Sequence, residues 1–153
     1  NMWTAILLVG ATLGTFALTR LIHAGENLVT EVKGRVHSID WQNITFGIDT
    51  VLKNPSTAQM TIQYPFIKIE YKGKLIASST MINEQIRIAQ LSQTELKNIK
   101  IPVAYLNLGG IALELLKKIQ DKEKKIAVDV TVITQVNVAG AKIPYKKTEQ
   151  IFI

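Results

Sequence analysis

Cysteine is absent from all 153 residues, and there are only two histidines and four prolines. Without cysteine the chain has no disulfide, no thiolate nucleophile and none of the usual thiolate-bound structural zinc sites. Imidazole chemistry has little to draw on. His23 adjoins an apolar run, and His37 stands near Asp40 with no serine following in a setting that would make it a nucleophile. The carboxylates Asp40, Asp49, Glu70, Glu84, Glu95, Glu114, Asp121, Asp129 and Glu149 are dispersed, without the Asp-x-Asp or His-x-x-x-His spacing of a metal site. Gly109-Gly110 precedes a helical pattern but lacks a Walker lysine, so it reads as a turn rather than a phosphate cradle. No catalytic residue, metal ligand or cofactor follows from this search, and the expectation is a protein that is not an enzyme.

Arginine is scarce too. Beyond Arg20 there are only Arg35 and Arg87, and aromatic residues make up 7% of the chain. The net charge of +6 therefore rests on lysine, concentrated in Lys117, Lys118, Lys122, Lys124, Lys125, Lys142, Lys146 and Lys147. Nucleic-acid readers interleave basic charge with arginine and exposed aromatics. Lysines alone on a helix end and a loop read as a solvated face, which disfavours nucleic acid as a partner. Asn43-Ile44-Thr45 fits a glycosylation sequon but falls inside a strand pattern and is discounted.

What the chain does have is one long apolar run, Trp3 to Thr19, free of charge and proline and closed by Arg20. Its 17 residues are at the short end of what crosses a bilayer. Trp3 suits one interface and Arg20 can snorkel at the other, with Leu7, Leu8, Leu13, Phe16 and Leu18 between them. No basic n-region or small-residue cleavage site marks a signal peptide. The expectation is a membrane-anchor helix over 1–25 and a single domain over 26–153. Gly10 and Gly14 have the Gly-x-x-x-Gly spacing that lets two helices approach closely. Arg20, Lys33 and Arg35 on the domain side place the domain in the cytoplasm or a particle interior by the positive-inside rule.

From Val29 onward the texture alternates. Val32 to Ile39 reads as a strand, and Ile44, Phe46, Ile48 and Leu52 fall in phase with a second over 43–53. Asn54-Pro55-Ser56 ends it, because proline cannot donate to a ladder and Asn and Ser bond locally in turns. Phe66 to Met81 reads as a hairpin turning at Lys72-Gly73-Lys74, followed by strands over 84–91 and 96–106. Leu108, Ile111, Ala112, Leu115, Leu116 and Ile119 form one helical stripe, which predicts a helix over 108–122 with lysines at its C-terminal end. Ile126, Val128, Val130, Val132 and Thr134 share a face of the strongest strand, 126–138. Ala139-Gly140 then turns the chain into a last strand over 143–153. Antiparallel strands at this spacing suggest a sandwich.

Residues 29–153 resemble the group 2 late embryogenesis abundant proteins, which share the water-stress-and-hypersensitive-response (WHy) domain. The resemblance rests on a strand running into Leu52-Lys53-Asn54-Pro55, and on Ile67 to Ser78 around Tyr71-Lys72-Gly73. Ile99-Lys100-Ile101-Pro102-Val103 precedes the helix, and Val130 to Val138, Ala139-Gly140 and Ile143-Pro144-Tyr145 close the pattern. It implies an all-β, immunoglobulin- or fibronectin-like antiparallel sandwich of about seven strands with one helix near the C-terminus, and no catalytic residues. Asn54, Pro55, Tyr71, Gly73, Gly140 and Pro144 are then turn and hairpin positions. The leading expectation is a membrane-anchored structural or binding component of a larger assembly. It would meet the lipid bilayer or neighbouring apolar helices, with protein partners or self-association. A stress-protection protein acting alone is the competing reading, and a structural protein of a membrane-containing virion or surface filament is the third.

Overall fold

The computed structural model describes residues 27–122 and 125–153. Among them are nine strands: β1 Val29–Ile39, β2 Asn43–Asn54, β3 Met60–Gln63, β4 Phe66–Tyr71, β5 Lys74–Ser78, β6 Gln85–Ile88, β7 Ser92–Ala104, β8 Ala127–Val138 and β9 Ala141–Phe152. Two helices, α1 Tyr105–Leu108 and α2 Ile111–Gln120, lie between β7 and β8. Every strand pairing is antiparallel. One sheet has the order β1-β2-β7, and the other six strands form the second around β8. The two curl toward each other as a half-barrel.

The second sheet shows how a proline shapes the fold. β9 pairs with β8 along its whole length, from Ala127 opposite Phe152 to Val138 opposite Ala141. The other edge of β8 is taken by β3 at Val136 and Asn137, then by β4 from Ile133 to Asp129. Between Ile62 opposite Val136 and Phe66 opposite Ile133, the chain takes four steps against three on β8. One residue is therefore extra, a bulge that bends the sheet. Its cause is Pro65, which has no N–H to give the ladder. The next row is interrupted at the same level: β5 pairs with β4, β6 pairs with β3, and residues 79–84 loop between them.

This corrects the expected architecture. An immunoglobulin-like sandwich of about seven strands gives way to nine strands in a curled half-barrel, because two rows are each cut in two at the level of Pro65. The single helix over 108–122 becomes two, separated by Gly109 at φ +58°. The anchor expected over 1–25, with Trp3, Leu7, Leu8, Leu13, Phe16, Leu18, Arg20 and the Gly10/Gly14 pair, lies outside the described residues. Among those described no helix is long and apolar enough to cross a membrane. The longest, α2, has ten residues. At 1.5 Å per residue it spans about half of a hydrocarbon core. A single-pass localisation is thus without structural support. Hydropathy identified an apolar segment, which is a weaker property than a bilayer-crossing helix.

The core follows the bend. Toward the helices, Phe46, Ile48, Ile67, Ile69, Val130, Val132, Leu108 and Leu115 pack in one cluster. Beyond the bulge, Leu28, Leu52, Met60, Ile62, Ile88, Val136 and Val138 form another. The β1 and β9 edges meet closely. Thr30 Oγ1 and Tyr145 Oη are 2.9 Å apart, and Lys147 Nζ donates to the Thr30 carbonyl at 3.0 Å. A Cβ on Gly34 would come within 2.8 Å of Ile151 Cδ1, so the seam needs a glycine there.

Candidate functional site

Asn54 ends β2 with only 1% of its surface exposed. Its amide Nδ2 donates to the carbonyls of Ala58, Ile88 and Ala89 at 2.8, 3.2 and 3.1 Å. Its Oδ1 accepts from the backbone N–H of Ser56 at 3.1 Å and from Ser56 Oγ at 2.7 Å. One side chain thus ties the β2–β3 loop to the end of β6, while Pro55 beside it is exposed. Only an amide offers donors and acceptor on one group of this size.

The remaining motif positions hold turns and a helix. Lys72 and Gly73 have φ of +51° and +78°, and Ala139 and Gly140 have +49° and +88°. Two consecutive left-handed residues make the turn whose twist matches a hairpin. Tyr71 is buried, accepts a hydrogen bond from Lys118 Nζ at 2.9 Å, and has the ammonium groups of Lys72 and Lys118 at 5.5 and 5.4 Å from its ring centre. Glu114 pairs with Lys72; this hydrogen bond raises the Lys72 pKa and lowers that of Glu114. α2 is so clamped to the β4–β5 hairpin. Pro144 lies in β9 opposite Gln135, at the level of the bulge. His37 is exposed, and the Asp40 carboxylate is occupied by backbone donors rather than by imidazole.

Two surface features stand apart from these turns. At the helix end, Asp40 Oδ1 accepts from the N–H groups of Gln42 and Asn43, both at 2.7 Å, and Tyr105 Oη donates to the Asp40 carbonyl at 2.6 Å. The Tyr105 N–H donates to the Gln42 carbonyl at 3.1 Å. This well-bonded turn presents Trp41 at 85% exposure beside Leu106 at 95%, both lining a shallow cleft. Asp40 is the one charged residue between Ser38 and Ile48, and none occurs from Ile101 to Leu113. An apolar tip on a fixed scaffold has the character of a contact surface.

The second feature is the groove opened by the bulge. Apolar Phe66, Met81, Ile82 and Ile133 line it with Tyr64, and Gln63, Asn83, Thr134 and Gln135 add polar groups, around about 470 Å³. Burial and the charge of Glu84 raise the Tyr64 pKa. On the same outer face, Lys146 stands opposite Ile133, and Lys68 follows Phe66 by two residues. Sequence reading marked neither tip nor groove. The uncharged stretches around Trp41 and Leu106 were the available signal for the tip. The groove needed the register of three strands.

Comparison of the sequence with protein-family models and with characterised proteins finds no match. Comparison of the fold does. A protein from Archaeoglobus fulgidus superposes with a TM-score of 0.54 at 13% identity, over 83% of this chain and 96% of that one. The Northeast Structural Genomics Consortium target SoR45 gives 0.55 at 9% identity, over 80% and 84%. At such identities the likeness establishes a shared fold and nothing about activity. A chain assigned provisionally to the late embryogenesis abundant proteins aligns over 93% of this chain and 86% of its own, at 12% identity. Its TM-score of 0.38 is too low to carry weight.

Proposed function

We propose that this chain is a non-enzymatic stress-protection domain of the late embryogenesis abundant, WHy-like kind, acting on its own during water loss or freezing. The observation that carries the reading is the Asn54 hub. The Asn-Pro on which the family resemblance rests is a buried amide making five hydrogen bonds, so the motif has a structural reason to be where it is. The shared fold of the two solved structures is compatible with the β-rich part of that resemblance. In this reading a compact domain with many surface lysines stays folded as water is withdrawn and keeps neighbouring proteins from touching one another. The apolar tip supplies transient contact with partly dehydrated partners. The test is recovery of a test enzyme's activity after drying or freeze–thaw with the protein present. Recovery above that given by an equal mass of an inert globular protein supports the reading, and equal recovery overturns it.

A further inference from the structure

We propose that the apolar tip of one molecule docks into the groove of a second copy, joining chains head to tail. This goes beyond the protective role and does not depend on it. Both present uncovered apolar surface: Trp41 and Leu106 on the tip, and Phe66, Met81, Ile82 and Ile133 in the groove. Trp41 projects from a turn already fixed by hydrogen bonds to Asp40 and from Tyr105, with Leu106 beside it on α1, so little backbone freedom of the loop is lost on docking. The groove, about 470 Å³ and lined by Phe66 and Ile133, has room for one indole and a leucine side chain.

Charge complements shape. The tip carries a single charge, Asp40, whose carboxylate uses Oδ1 for its own turn. The groove is flanked on the strand side by Lys146 and Lys68, while Glu84 lies by Tyr64 at the other rim. Docking with Asp40 toward Lys146 satisfies the attraction, and the reversed pose sets Asp40 against Glu84. One orientation is therefore preferred. The tip and the groove lie on different parts of the molecule, so the contact is heterologous, and repeated it builds a closed ring or an open chain according to its rotation. So small a contact belongs to the transient class, below about 1,200 Å², and forms when the protein is concentrated.

The absence of cysteine gives a clean test on the full chain. Gln42→Cys places a thiol on the tip and Asn83→Cys places one on the groove rim, both at exposed positions. The two variants are mixed at millimolar concentration and joined with a short bismaleimide. Mixed dimers should exceed the dimers that either variant forms alone. Adding Trp41→Ser to the tip variant should lower the mixed yield by about tenfold, the size of effect expected for a central aromatic anchor. Lys146→Glu in the groove variant should lower it several-fold. Both of these residues are exposed, so neither change threatens folding. Mixed yields no greater than the unmixed ones, or yields indifferent to Trp41→Ser, overturn the proposal.

Discussion

Residue by residue, two polar side chains do more than their exposed neighbours. Asn54 satisfies five partners from one buried amide, and nothing else nearby can replace it. Asn54→Ala leaves donors and acceptors of the β2–β3 loop and the β6 end unpaired, each costing on the order of 1–3 kcal/mol if no water reaches it. With partial rehydration of the exposed ones, a loss of about 3 kcal/mol is expected in urea unfolding. Asn54→Asp should be no better, since it turns a carboxylate toward three carbonyls. On the outer face of the three-stranded sheet, Asp49 accepts from the Asn98 N–H at 2.7 Å and from Arg35 Nη1 at 3.0 Å. The Asn98 bond first, and Arg35 after it, hold its pKa below the ordinary value against the opposing effect of burial. A carboxylate depressed in the folded state stabilises fully above its unfolded pKa, near 3.9, and loses that contribution as pH falls through the folded value. Urea midpoints should therefore drop below about pH 4. In Asp49→Asn the drop should be smaller, and a drop of the same size would show that Asp49 is not among the groups responsible.

At the scale of elements, helix α2 is held by what lies beneath it more than by its own propensity. It is ten residues long, short for an isolated helix, and Leu115 is completely buried under it. Leu115→Ala should cost about 2–5 kcal/mol and lower the helical circular dichroism before the strands melt. The Tyr71–Lys118 and Lys72–Glu114 contacts limit that fraying only partly, because both lysines are at the surface. The same scale shows what the sequence could disclose. The phase of Ile44, Phe46, Ile48 and Leu52, and that of Val128, Val130 and Val132, states which face is buried, and those strands stand at 43–54 and 127–138. Glycine after Lys72 and after Ala139 announces both hairpin turns. β3 went unread although Met60 and Ile62 alternate with Thr61 and Gln63 much as Ile86 and Ile88 alternate in the equally short β6. The bulge at Tyr64-Pro65 went unread because a register is a relation between strands, and Pro65 by itself says only that one ladder bond is missing. Of the candidate sites, the motif turns were marked in the sequence, while the tip and groove depended on neighbours distant in the chain.

At the scale of the molecule, β8 is the member on which the second sheet depends. It pairs with β9 on one edge and with β3 and β4 on the other, and its inward valines join both core clusters. Native-state hydrogen exchange should accordingly find the amides of Val130 and Val132 among the slowest, opening only with global unfolding. Amides of β6, a four-residue strand at the rim, should exchange through smaller openings. Similar protection in the two strands would mean that the sheet opens as one unit. The outer sheet edge has its own safeguard: β7 carries Pro102, a bulge near Asn98 and Lys97 and Lys100, none of which welcomes a foreign strand.

The late position of β8 in the chain also matters on the ribosome. Sheet order β1-β2-β7 is complete once Ala104 has emerged, and the β4–β5 hairpin can form earlier still. The inner edges of β3 and β4, however, face an empty place until Ala127 to Val138 has been made. Throughout that interval of synthesis, Ile62, Ile67 and Ile69 have no opposing β8 valines, and a stalled or truncated chain would keep two unpaired strand edges open to its neighbours on the same message. Emergence of β8, with β9 after it, is thus the step that converts a sticky nascent chain into a closed one.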